Sequence, residues 1–246
     1  MKTLALIFAA LLAAPMQLPA AFDHSHAAFT SVLKTHVSGN NVDYASLKKS
    51  PEKLGAYLDS LAKVSQSEFK GWTEDQEMAY LINLYNAGTL KLIIDNHPLK
   101  SIKDIGSPWK KKVVKLFGTD RSLDYVEHDL LRKNYNDPRI HFGVNCASIG
   151  CPALRDEAFQ ASKLNRQLDE QAKGFLNDTT MNRVDGKSGV LYLSSIFDWF
   201  KGDFVKKSGS VEKFVAPYFN DGDRKAIQAG RLKIKYTDYD WSLNGK

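Results

Sequence analysis

Cysteine is scarce in this chain. Only Cys146 and Cys151 occur among 246 residues, too few for a disulfide-built scaffold, and no C-x2-C or H-x3-H spacing supports a zinc site. Long apolar runs are scarce as well. Beyond the N-terminal stretch no segment approaches the roughly 18 uncharged apolar residues that a membrane-spanning helix needs. Internal repeats, low-complexity tracts and Pro/Gly/Ser-rich linkers are missing, which argues against a solenoid or a string of tethered modules. Charge of one sign is not in large excess either. Lysine and arginine number 34 against 28 acids, a formal net charge of +6. The densest cluster, Lys110 to Lys112, reads as a solvated loop, so nucleic acid is not an expected partner. No cofactor is expected.

What is present starts with MKTLALIFAALLAAPMQLPA. One lysine, an uncharged run from Leu4 to Ala14, Pro15 and the small Ala20 follow the pattern of a secretory signal peptide, with cleavage expected after Ala20. No cysteine near that point can carry a lipid, so a periplasmic or secreted protein is expected. Removing the segment takes away only Lys2 and lowers the formal charge to +5 over 226 residues. Hydrophobic residues make up 43% and aromatics 11% of the full chain, enough to bury a sizeable core. We read residues 21–246 as one domain.

Apolar spacing sets the expected elements. FDHSHAAFTSVLKTHV places Phe22, Phe29, Val32, Leu33 and His36 near one helical face. SPEKLGAYLDSLAKV opens with Ser50 as cap and Pro51 at the first helical position, and Leu54, Tyr57, Leu58 and Leu61 form its stripe. NNVDYASL between them reads as a short extended link. In WTEDQEMAYLINLYNAGTLKLIIDNHP, Thr73 and Gln76 make a capping box, Pro98 ends the helix, and apolar residues nearly all round the wheel predict a buried central helix. Its Asn83 and Asn86 then need partners inside, because an unpaired buried amide costs about 1–3 kcal/mol. Loop backbone is the expected partner of both.

KKVVKLFGTDRSLDY reads as a hairpin around Gly118, DYVEHDLLRKNY as a helix, NDPRIHFGV as a turn and strand, and LRDEAFQASKLNRQLDEQAKGFLND as a long amphipathic helix. VDGKSGVLYLSS is a second hairpin, SIFDWFKGDF and SVEKFVAPYF are short helices, and RLKIKYTDYDWSLN closes with strand alternation. Helices first, then strands mixed with helices, predict an α+β fold with a helical N-terminal half packed on a small antiparallel sheet.

VDYASL, AYLINLYNAGTL, LDYVEHDLLR, DPRIHFGVNCASIGCPALRDEAF, LSSIFDWFKGDF and YTDYDWSLN closely resemble, in this order, the blocks of the family catalogued as domain of unknown function 547. The likeness spans roughly residues 40–243. It implies kinship with secreted bacterial proteins and with plant proteins that carry leucine-zipper segments, and it implies no particular reaction.

Chemistry is concentrated in RIHFGVNCASIGCPALRDEAF, residues 139–159. Pro152 suits the first turn of a helix and Cys151 its N-cap, where the helix dipole lowers a thiol pKa from about 8.5 toward neutrality. A cysteine at a helix start facing a strand-borne histidine is how papain-like hydrolases are built, so the expected fold is loosely papain-like or transglutaminase-like. The chain order differs, because every histidine here precedes both cysteines. Cys146 is the alternative nucleophile. It lies in the loop NCASIG, whose backbone N–H groups offer an oxyanion hole or an anion nest, with Asn145 and Ser148 as ligand-binding candidates.

His141 and His128 are the candidate bases, Glu127 and Asn86 the candidate orienting groups, and Arg132 stands four residues from His128 on the same helix face. His24, His26, His36 and His97 read as surface or terminal residues. Asp198, Trp199 and Asp203 read as an amphipathic helix with exposed acids. Two cysteines with four residues between them in an exported chain also suit a disulfide. Two readings follow. In one, Cys151 or Cys146 attacks as the nucleophile of a thiol-dependent hydrolase or acyl transferase. In the other, a Cys146–Cys151 bridge locks a non-enzymatic loop that holds a small or peptidic ligand between Arg139 and Arg155. A metal set of His128, His141 and the two cysteines finds no support in the spacing.

Overall fold

The computed structural model describes residues 21–245; the segment read as a signal peptide lies outside them. Helix α1 (Ala27–His36) buries Phe29, Val32 and Leu33 as its spacing predicts. His26, expected at the surface, is buried at the head of α1 and shares a 2.7 Å hydrogen bond with the Tyr57 hydroxyl. Two short strands, β1 (Val37–Ser38) and β2 (Asn41–Val42), lead into α2 (Tyr44–Lys49), where an extended link was expected. The reason is a cap: the Asp43 carboxylate accepts from the Ser46 N–H at 2.8 Å and starts a helix. Helix α3 (Glu52–Ala62) takes Pro51 as its N-cap, and Ser50 ends α2 instead of capping α3.

A single turn, α4 (Gln66–Phe69), precedes α5 (Glu74–Asn96), which carries the expected Thr73–Gln76 capping box and is buried almost throughout. Helices α2 and α3 and the hairpin of β3 (Lys112–Leu116) and β4 (Thr119–Ser122) pack around it. The hairpin approaches α5 at Gly88, where a Cβ would lie 2.4 Å from Val114 Cγ1. Two π-helical turns, Tyr125–Leu131, then continue as one α-turn, α6 (Arg132–Asn134).

The expected strand at 140–144 is instead one helical turn, α7 (Ile140–Gly143), closed by Phe142 N–H to Arg139 O at 2.9 Å and Val144 N–H to Ile140 O at 3.0 Å. The long helix expected from Pro152 begins only at α8 (Leu164–Leu176). Side-chain amides explain the delay. Asn145 bonds Pro152 O at 2.8 Å, Gln171 bonds Ala153 O at 2.7 Å, Gln167 bonds Ala158 O at 3.0 Å, and Asn83 bonds both Phe159 O and Phe159 N at 2.8 and 2.9 Å. Backbone groups that a helix would pair internally are thus taken.

The C-terminal part contains β5 (Arg183–Asp185), β6 (Val190–Ser194), α9 (Ile196–Trp199), α10 (Lys201–Ser208), α11 (Val211–Val215), α12 (Asp221–Gln228) and β7 (Lys233–Thr237). Strand β6 is central, antiparallel to β5 but parallel to β7, because the chain returns through four helices before pairing again. The fold is α+β, as expected. One apolar core surrounds α1 to α5 and includes Val144, Ala147, Leu154 and Phe159; a second gathers Phe142, Phe175, Leu191, Phe197, Phe204 and Phe214. The cysteine stretch runs along the seam between them.

Candidate functional site

The loop after α7 is held from three sides. Asn86, on α5, donates to Gly143 O at 2.9 Å and accepts from Asn145 N–H at 2.8 Å, so α5 fixes where the loop begins. The Asn145 side-chain oxygen Oδ1 accepts from Ala147 N–H at 2.9 Å. From the C-terminal segment, Ser242 O and Asp240 O accept from Ile149 and Gly150 at 2.8 and 2.9 Å. Gly150 is required there, since a Cβ would lie 3.0 Å from Asp240 N. Cys146 N–H and Cys151 N–H are taken as well, the first by Cys151 Sγ and the second by Ser148 O. The amides of 145, 146, 147, 149, 150 and 151 all bond within the fold, so the oxyanion hole or anion nest expected of this loop is not formed by them.

Both cysteines are free thiols, which corrects the expected disulfide. The loop brings the Cys146 N–H, at 3.0 Å, to the Cys151 sulfur, so the two cysteines meet through a backbone hydrogen bond and not a covalent bond. Cys146 is half-buried, and its Sγ lies 3.1 Å from the Tyr239 hydroxyl and 3.3 Å from the Ser148 hydroxyl. The Cys151 thiol, then the Ser148 and Tyr239 hydroxyls, stabilise its anion against burial and bring its pKa down to about 7. Cys151 is the opposite case. Burial, and then the neighbouring Cys146 side chain, push its thiol well up. No helix starts at Pro152, so the dipole expected to activate Cys151 is not there.

Around the sulfurs lie Tyr44, Tyr85 and Glu127, all buried. The π-helical turns aim Val126, Glu127 and Leu131 inward and leave His128 42% exposed. Burial, with a further contribution from the Cys146 charge, raises the Glu127 pKa, while His128, Tyr85 and Arg132 act the other way. Tyr85 and Tyr44 stay neutral, raised by burial and by the neighbouring anions.

The histidines belong to a second network. His141 is buried; its Nε2 lies 2.8 Å from Asp203 Oδ2, and its ring stacks on Phe200 at 4.0 Å. Arg132 donates to Asp203 at 2.7 and 3.3 Å and lies 3.1 Å from His128 Nδ1, the neighbour that the four-residue spacing pointed to. Burial lowers the His141 pKa more than Asp203 raises it. Burial raises Asp203, but hydrogen bonds from His141 and Arg132 outweigh it and hold the carboxyl well below its usual range. His141 is therefore neutral, with Nε2–H donated to Asp203 and a buried Nδ1 that has no partner. Among the described residues, no histidine nitrogen hydrogen-bonds to either sulfur.

The two arginines are neutralised in place. Arg139 forks onto Asp137, at 2.6 Å from Nη2, and reaches Asn165; Arg155 meets Glu157 and Glu170 at 2.8 and 2.9 Å. Asn145 braces the loop and Ser148 faces the thiol. Tyr239 and Asp203 enter from the C-terminal blocks YTDYDW and FKGDF, whose tyrosine and acid were the available signals.

The sequence model of the family described as "Protein of unknown function, DUF547" matches residues 69–176, a span that contains both cysteines, His128, His141, Glu127 and Asn86 and stops short of Asp203 and Tyr239. No curated protein and no solved structure matches the chain.

Proposed function

We propose, for a chain that belongs to the DUF547 family through residues 69–176, that Cys146 is the nucleophile of an exported thiol-dependent hydrolase or acyl transferase. One observation carries this reading: the Cys146 sulfur lies within hydrogen-bond reach of the Tyr239 and Ser148 hydroxyls, at 3.1 and 3.3 Å, and its pKa is brought down to about 7. A large fraction is thiolate at neutral pH, without a histidine. The thiolate pair forms the S–C bond to a carbonyl carbon, and the leaving group departs with the electrons of the bond that breaks. Glu127, whose pKa is raised by burial beside the sulfurs, is the proton source for that leaving atom. Water or another acceptor then attacks the thioester and returns sulfur as thiolate and the proton to Glu127. Mutual repulsion of the two anions favours this pairing of one thiolate with one neutral acid. The basic residue, apolar run and small residue at the N-terminus support export.

A small activated ester, p-nitrophenyl acetate, tests the assignment by intact mass and peptide mapping. The native protein should gain one acetyl group at Cys146, and Cys146→Ala none. Acetylation that maps to Cys151, or that survives Cys146→Ala at the native rate, overturns the reading.

A further inference from the structure

Three of the four tryptophans collect beside the thiol site. Trp241 meets Tyr239 at 4.5 Å, Trp199 at 5.7 Å and Trp109 at 5.8 Å between ring centroids, and Trp199 meets Tyr239 at 4.9 Å. Tyr239 is the same residue whose hydroxyl touches Cys146 Sγ, so the cluster begins one side chain from the sulfur. It is also open: Trp199 is 48% exposed, and Ile149, on the cysteine loop and bonded to Ser242 next to Trp241, is 54% exposed. Of the residues with buried or exposed large apolar side chains, Trp199, Ile149 and Val205 are the exposed ones, and two of these three flank one site. Exposed apolar side chains gathered beside a reactive group mark a binding site more often than scattered ones do.

The chemistry of the cluster narrows its occupant. Trp199 and Trp241 are stacked at 21°, while the other pairs cross at 48°, 50° and 71°, so the cluster combines the stacked and edge-on arrangements in which aromatic rings pack on one another. A cationic group is disfavoured, since the Lys103 ammonium already sits 3.7 Å over the Trp241 ring.

We propose that Trp199, Tyr239 and Trp241 form a subsite for an aromatic side chain adjacent to the carbonyl that Cys146 attacks, so that the substrates are peptides or amides carrying an aromatic residue at that position. The inference rests on the reading of Cys146 as nucleophile and is tested separately from it. Ethyl thioesters of N-acetyl-phenylalanine, N-acetyl-glycine and N-acetyl-lysine share one leaving group, and the acylation rate of each is read by intact mass. The phenylalanyl ester should react about tenfold faster than the glycyl ester, and Trp199→Ala should bring the ratio close to one, while Trp199→Phe keeps most of it. In parallel, Cys146→Ala is titrated with N-acetyl-phenylalaninamide by tryptophan fluorescence. Binding there should be lost when Trp199→Ala is added. Equal phenylalanyl and glycyl rates, a preference for the lysyl ester, or fluorescence changes with an N-acetylglucosamine oligomer and none with the amide overturn the subsite. Amide binding without acylation by any ester supports the subsite and overturns the nucleophile.

Discussion

Cys146 owes its low pKa to single atoms on other residues, so single-atom changes should move it. A hydrogen bond to a charged group contributes about 1.5–3 kcal/mol, and 1.36 kcal/mol is one pKa unit. Tyr239→Phe removes one hydroxyl from Cys146 and should return the thiol at least about one unit toward its usual value. At pH 7 the thiolate fraction then falls from about half to about a tenth, and alkylation by iodoacetamide slows about fivefold. An unchanged rate would show that Tyr239 does not stabilise the anion. The sequence was enough to single out both cysteines, but not to rank them. Their ranking depends on a tyrosine 93 residues away in sequence and on a backbone turn that buries Cys151 beneath Cys146.

Among elements, α5 matters most to the site, and its role was partly legible. Apolar residues all round the wheel gave a buried helix, and a buried helix obliges its two asparagines to find backbone partners, as both do. The helix expected at Pro152 was not legible as absent. Amides from four other positions pair with residues 152–159, and local propensity carries no trace of such distant competitors. Likewise, the strand alternation of Ile140, His141 and Phe142 is the side-chain pattern of a turn whose residues are buried on two sides, one core taking Ile140 and the other Phe142. Asn86→Ala leaves Gly143 O and Asn145 N–H without their buried partner, at a cost of about 2–4 kcal/mol in urea denaturation. The loosened loop should also expose Cys151, seen as faster labelling of that residue. Stability within about 0.5 kcal/mol of the native protein would contradict the bracing role.

Across the whole molecule, order of elements made the α+β class readable, whereas the parallel pairing of β6 with β7 joins segments separated by four helices and left no local mark. Buried titratable groups set how stability varies with pH. His26 has its pKa lowered by burial from 6.5 to about 4, so the unfolded chain takes up the proton first on acidification. Stability should fall between those values by about 3 kcal/mol. Glu127 acts in the other direction: its folded pKa is raised, so its contribution is full below the unfolded value of 4.5 and is lost as pH rises through the folded one. Glu127→Gln should remove that alkaline decline in denaturation midpoints and leave the acid decline in place; an unaltered profile would place the buried charge elsewhere. The measurement that bears most directly on the account is the rate of iodoacetamide alkylation as a function of pH, with the labelled peptide identified. The structure predicts modification of Cys146 with a midpoint near pH 7. Labelling of Cys151 first, or a Cys146 midpoint at the ordinary thiol value of about 8.5 or above, would contradict it.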